Sequence, residues 1–247
     1  SEKLIELVSR AMRDGKNQYA PMPGDPILRQ RISQKVEKLY NLNIDPNSEI
    51  TITAGGTQAL FTALGAFVHP GDEVIIIEPA YDSYKPSIEL FGGKAIPYAL
   101  MAPDYEINWA ELEKLISPAT RILMFNNPHN PTGQVFSAND IAALRQIVIK
   151  HNLLLISDEV YEHLTFDGLQ HESVLKYPDL YERSMVIFSF GKTYHNTGWK
   201  IGYCIAPAEL TKEFRKVHQF NVFSANTPVQ SAYADFMLDE NEYLKLP

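Results

Sequence analysis

The sequence predicts an α/β fold, a three-layer α/β/α domain around a mainly parallel, mixed sheet. Short continuous apolar runs alternate with helical stretches along the chain, as in a sheet covered by helices on both faces. Several of these runs end in polar loops rich in glycine and proline, where open parallel sheets place their ligands. The last two runs, 185–190 and 201–205, lie too close together for a helical crossover, so they are expected to be antiparallel or joined across an irregular turn, which makes the sheet mixed.

The first residues, Ser1-Glu2-Lys3-Leu4-Ile5, read as the middle of a helix, with no start methionine and no signal-peptide pattern. A helix is expected over 26–40, with Asp25 as N-cap and Pro26 at its first position. Strands are expected at 50–53, 74–77, 94–99, 122–125, 153–157, 185–190 and 201–205. Helices are expected at 57–67, 82–91, 109–116, 138–150, 208–220 and 228–240. Ser137 with Asp140 three residues on resembles a capping box built with the shorter acid. The last residues, 243–247, show no domain terminus, so a piece of a longer protein is expected.

The chain has 247 residues, enough for one large domain or two small ones. Its apolar share of 45% and charged share of 21% are those of a soluble globular protein. A net charge of -8 argues against a nucleic-acid or membrane-surface partner, which needs a basic field. No run is long enough for a transmembrane helix. The single cysteine, Cys204, excludes an internal disulfide, reads as a small buried hydrophobe, and fits a cytoplasmic protein.

Five strand ends carry the chemistry. After 50–53 come Gly55-Gly56-Thr57-Gln58, glycines at a strand-to-helix turn whose free N–H groups suit a phosphate, or a tight turn. After 74–77 comes Glu78-Pro79-Ala80-Tyr81, where Tyr81 can lie on a flat ring or pack at a helix start. After 122–125, the run Asn126-Asn127-Pro128-His129-Asn130-Pro131-Thr132-Gly133 forms a rigid loop able to aim an amide. His129, between asparagines, reads as a loop hydrogen-bonder. Asp158 ends the fourth strand, where a buried carboxylate needs a cation such as a protonated ring nitrogen, or else caps the next helix. The fifth end is Ser189-Phe190-Gly191-Lys192, with Gly198-Trp199-Lys200-Ile201-Gly202 close behind. A desolvated Lys192 can form an imine, and Ser189 and Lys200 offer a hydroxyl and a second cation for a phosphate. Gly-x-Ser-x-Gly, Walker and His-Glu-x-x-His motifs are absent, and the seven histidines lack metal-ligand spacing.

These motifs together resemble the class I aminotransferases of the pyridoxal-phosphate (PLP) fold type I, through essentially the whole chain. Asn17-Gln18-Tyr19-Ala20-Pro21-Met22 and Glu159-Val160-Tyr161-Glu162-His163 resemble the methionine and kynurenine members most. The resemblance implies that Lys192 holds the cofactor as a Schiff base and shuttles the proton. It implies that Asp158 pairs with the pyridine nitrogen, that Tyr161 and Asn130 bond the phenolic oxygen, and that Tyr81 stacks. Gly56, Thr57, Gln58, Ser189 and Lys200 would hold the phosphate, with Tyr19 reaching that of a partner subunit in a homodimer. An Asn130–Pro131 cis bond is also implied. The family's N-terminal segment and C-terminal small domain, with its carboxylate-binding arginine, are missing. Residues 1–247 are therefore expected to be the cofactor-binding large domain, inactive alone. The implied reaction is amino transfer from a large hydrophobic or aromatic L-amino acid to a 2-oxo acid. Rival readings are a β-lyase of the same fold type and a non-catalytic PLP-binding domain.

Overall fold

The computed structural model describes residues 1–238. They form a seven-stranded sheet in the order β1-β7-β6-β5-β4-β2-β3. The strands are β1 (Ile50–Thr53), β2 (Glu73–Glu78), β3 (Lys94–Ala99), β4 (Thr120–Asn126), β5 (Leu154–Asp158), β6 (Ser184–Ser189) and β7 (Gly202–Ile205). From β3 to β6 all pairs are parallel, while β7 runs antiparallel to both β1 and β6. The sheet is mixed, as the short 190–201 connection requires. Pro97 sits in edge strand β3, where a missing N–H costs no interior ladder bond.

The helices are α1 (Glu2–Arg13), α2 (Pro26–Tyr40), α3 (Gly56–Phe67), α4 (Tyr84–Leu90), α5 (Trp109–Glu113), α6 (Ala138–Lys150), α7 (Pro178–Tyr181), α8 (Phe190–Thr193), α9 (Ala208–Asn221) and α10 (Thr227–Phe236). Asp25 caps α2 by accepting from the N–H groups of Ile27 and Leu28, and Ser137 and Asp140 form the reciprocal capping box of α6. Tyr84 begins α4 two residues later than expected, because 82–83 form a turn. The last expected helix ends at Phe236 among the described residues; 239–240, like 243–247, lie outside them. β6 stops at Ser189, and Phe190 opens α8 instead of ending the strand.

Alternate residues of the central strands feed two cores. On one face, Ile122 and Met124 of β4 join Leu60 of α3, Ile88 of α4 and Phe214 of α9. On the other, Leu123 and Phe125 join Ile32 of α2, Leu144 of α6 and Tyr233 of α10. A three-layer domain results, with the carboxyl ends of β2, β4, β5 and β6 converging on one edge. No described helix is long and apolar enough to cross a membrane.

Candidate active site

The β-ladder register sets the site. Asn126 at the end of β4 pairs with Asp158 at the end of β5, and Asp158 pairs with Ile187, two residues before Ser189. Ser189 and Thr53 both face Gly202 across β7, which brings the β1 end beside the β6 end. A Cβ on Gly202 would lie 2.6 Å from the Phe188 carbonyl and 2.9 Å from Gly56 N, so only glycine lets these backbones meet.

A cavity of about 210 Å³ opens there. Its wall includes Gly56, Thr57, Tyr81, Asn130, Asp158, Tyr161, Ser189, Lys192 and Lys200, all foreseen in the sequence. Gly55, Leu60, Val160 and Thr197 also line it and were not singled out individually. Leu60 is the next helical turn after Gly56, a signal the spacing already carried.

At one end sit the first turn of α3, Ser189 and Lys200. Gly55, with φ of 84°, caps α3 in a conformation that favours glycine, and a Cβ there would lie 3.5 Å from Lys200 Nζ. Lys200 itself adopts φ of 54°, turning its side chain back toward this loop. The helix start leaves N–H groups without intrahelical partners, so N–H donors, a hydroxyl and an ammonium converge. The Gln58 side chain does not line the cavity. Its Oε1 accepts from the Ala54 N–H at 3.0 Å, and its Nε2 donates to Thr62 Oγ1 at 2.6 Å and approaches His218 Nδ1 at 3.3 Å. The amide braces the loop from behind, which leaves the backbone N–H as the contribution of Gln58 to an anion.

The carboxylate in the cavity wall is Asp158, only 4% exposed. Its Oδ2 accepts from Tyr84 Oη at 2.6 Å and its Oδ1 from the Val160 N–H at 3.3 Å. Burial raises its pKa to about 6, against the lowering effects of Tyr84, Val160 and Lys192. Lys192 Nζ lies 5.2 Å over the Tyr161 ring. Tyr81 bonds Thr57 Oγ1 at 3.1 Å through its hydroxyl, which ties its ring to the cavity wall.

Asn130 is held by its backbone: its N–H donates to Asn126 Oδ1 at 2.7 Å, and Asn126 Nδ2 donates to the Asp158 carbonyl at 2.8 Å. The Asn130–Pro131 bond is cis, as is Asn127–Pro128. His129 is buried and bonds Thr132 Oγ1 at 2.8 Å within its own loop, lining a neighbouring groove rather than this cavity. Tyr19 is 81% exposed, rests edge-on against Phe223 and does not line the cavity. Sequence reasoning missed Asn126 and Tyr84 as supports; Tyr84 carries no local signal for it, since its partner Asp158 lies 74 positions on.

The arrangement fits a flat phosphorylated pyridine aldehyde. An anion cradle, a buried carboxylate, an amine and an aromatic ring line one cavity. That constellation on this fold is the one used by fold-type-I PLP enzymes. The model of the aminotransferase class I and II family matches residues 1–245, and the chain belongs to that family, whose cofactor is pyridoxal phosphate. The chain is similar to methionine aminotransferase of Escherichia coli (strain K12), with 50% identity over 245 residues, 99% of this chain and 64% of that protein. It is 39% identical to rat (Rattus norvegicus) kynurenine–oxoglutarate transaminase 3 over 95% of this chain and 54% of that protein. A solved Escherichia coli structure with methionine aminotransferase function superposes with a TM-score of 0.97 at 48% identity, covering 100% of this chain and 66% of that one. The chain thus spans under two thirds of the length of these relatives.

Proposed function

We propose that residues 1–247 are the cofactor-binding large domain of an aminotransferase that moves the amino group of a large hydrophobic or aromatic L-amino acid to a 2-oxo acid. The observation that carries this is the meeting of Lys192, Asp158 and the Gly56–Ser189–Lys200 cradle in one cavity, drawn from the loops after β1, β5 and β6. The relatives named for methionine and kynurenine transamination support the donor class over the β-lyase alternative.

Pyridoxal phosphate, when bound, supplies an electron sink conjugated to the substrate α-carbon. The protein does the rest. Gly56, Thr57, Ser189 and Lys200 bind the phosphate end and fix the position of the ring. Asp158 holds the proton on the ring nitrogen by charge pairing. Tyr81 confines the ring to one plane. Tyr161 and Asn130 donate hydrogen bonds to the phenolic oxygen. Lys192 Nζ is the amine that would hold the cofactor's aldehyde group, with loss of water, and, once free, would move the proton at the substrate α-carbon. Its place over the Tyr161 ring puts this amine beside the phenol that shares the site.

The substrate carboxylate is left, in this proposal, to an arginine beyond Pro247, and residues 1–247 alone bind cofactor without significant turnover. The parent is a cytoplasmic homodimer in which Tyr19 serves the partner's phosphate site. Exposed Tyr19, Phe220 and Phe223, at 81, 87 and 41%, support an interface on that side.

The test is borohydride reduction of the PLP-loaded chain followed by peptide mapping. The cofactor is expected on Lys192, and Lys192→Ala is expected to bind without becoming labelled. Label on another lysine, or undiminished label in Lys192→Ala, overturns the assignment.

A further inference from the structure

Asp158 has to remain an anion in a place where burial favours its neutral form, and it has to present one oxygen to the cavity. We propose that Tyr84 is a positioning residue that meets both needs: its hydroxyl turns the Asp158 carboxylate toward the cofactor's ring nitrogen and holds it as the anion. This rests on the reading that Asp158 pairs with that nitrogen.

The geometry is one-sided. Tyr84 Oη reaches Oδ2 at 2.6 Å, while Oδ1 has only the Val160 N–H, at a long 3.3 Å. Oδ2 is engaged from the α4 side, which leaves Oδ1 as the oxygen with spare acceptor capacity beside the cavity. Tyr84 is 4% exposed and does not line the cavity, so it acts through Asp158. Its own position is set by packing, its ring meeting that of Tyr81 edge to face at 5.7 Å and 86°. The residue that covers the cofactor and the residue that orients its counter-ion therefore stand three positions apart at one loop-to-helix junction.

The ionisable surroundings agree. Burial, then Asp158, push the Tyr84 phenol well above its ordinary range, so it stays a donor at every working pH. Around Asp158, burial and Glu159 favour the neutral acid, and Tyr84, the Val160 N–H and Lys192 favour the anion. Lys192 is the amine that would hold the cofactor and so change its charge, and the Val160 N–H bond, at 3.3 Å, is long against the 2.6 Å of Tyr84. Tyr84 is the contribution that stays constant through the reaction.

The experiment uses Tyr84→Phe, which removes one oxygen and keeps the ring. First, the Asp158 carboxyl carbon is followed by 13C NMR in the cofactor-free chain, identified by its loss in Asp158→Asn. It should titrate near 6 in the parent and about one unit higher, a tenfold change, in Tyr84→Phe. Second, the ring nitrogen of 15N-labelled PLP bound to each protein is titrated. It should stay protonated through neutral pH in the parent and lose its proton about one pH unit lower, at a tenfold higher proton concentration, in Tyr84→Phe. A variant with a lower melting temperature but both titrations unchanged shows a merely structural tyrosine and overturns the proposal. Failure of the parent to keep the ring nitrogen protonated, with the carboxyl titration shifted as expected, refutes the Asp158–nitrogen pairing instead, and the role of Tyr84 toward the cofactor with it.

Discussion

Burial lifts Asp158 to about 6, so in the cofactor-free chain it stands partly protonated not far below neutral pH. A cationic ring nitrogen removes that conflict by offering the missing counter-charge. Asp158→Asn is therefore expected to cost on the order of 3–5 kcal/mol, at least a hundredfold in kcat/KM of the parent enzyme. Steady-state kinetics with methionine check this, and a loss under tenfold would contradict the pairing. Lys200 differs in kind. It is a point charge at a cradle already furnished with N–H donors, so Lys200→Ala should weaken phosphate binding by about 1–3 kcal/mol and leave the Lys192 attachment intact. Equilibrium binding of PLP measures the first effect and borohydride labelling the second.

Two elements hold the site by contacts far from it. The segment after β5 carries Tyr161 between two buried carboxylates. Glu159 accepts from Ser157 at 2.9 Å and the Val174 N–H at 3.1 Å, and pairs with His171 at 2.8 Å. Glu162 accepts from Lys35 of α2 and from Tyr40 at 2.6 Å. Burial opposes the Glu162 anion, but the Lys35 ammonium, His163 and the Tyr40 hydroxyl prevail and hold it at about 2. Lys35→Met leaves that charge alone and should destabilise the chain by about 3–5 kcal/mol, whereas Lys35→Met with Glu162→Met should recover most of the loss. Urea unfolding of both variants decides. The second element is β7. Gly202→Ala would drive a methyl into the Phe188 carbonyl and the Gly55–Gly56 backbone, so PLP affinity should fall at least about tenfold.

Over the whole molecule, two buried groups pull stability in opposite directions as pH falls. Burial depresses His218 to about 4, below its ordinary 6.5. The unfolded chain then binds the extra proton first, so this contribution is present above 6.5 and lost as pH falls toward 4. Asp158 is raised instead, from 3.8 to about 6, so its contribution is complete below 3.8 and lost as pH rises through 6. Each is worth on the order of 3 kcal/mol at full extent, so between pH 6.5 and 4 they largely cancel in the cofactor-free chain. Asp158→Asn removes one side. Its stability should fall by on the order of 3 kcal/mol more than that of the parent over that interval. Denaturant unfolding at the two pH values checks it, and parallel curves for the two proteins would contradict the assignment. Glu162, held at about 2, adds a further loss only below 4.5.

The sequence by itself determined the layer architecture, because continuous apolar runs with helical stretches between them leave a sheet buried on both faces as the stable solution. It determined most of the site as well. Lys192, Asp158, Asn130, Tyr81 and Ser189 are polar residues at the ends of apolar strands, and a parallel sheet carries those ends to one edge. The caps of α2 and α6 were legible because they are made by neighbours in the chain. Only the tertiary structure decided where side chains turn. Gln58 stands among phosphate-loop residues in sequence, yet its amide faces His218, 160 positions away, because the α3–α9 packing offers it partners there. Tyr84 reads as one more aromatic at a helix start until β5 brings Asp158, 74 positions on, within 2.6 Å. Lys35 of α2 finds Glu162, 127 positions on, only in the folded chain. Local spacing encodes direction within an element, but a buried polar group takes its partner from across the fold, and that partner is chosen by packing.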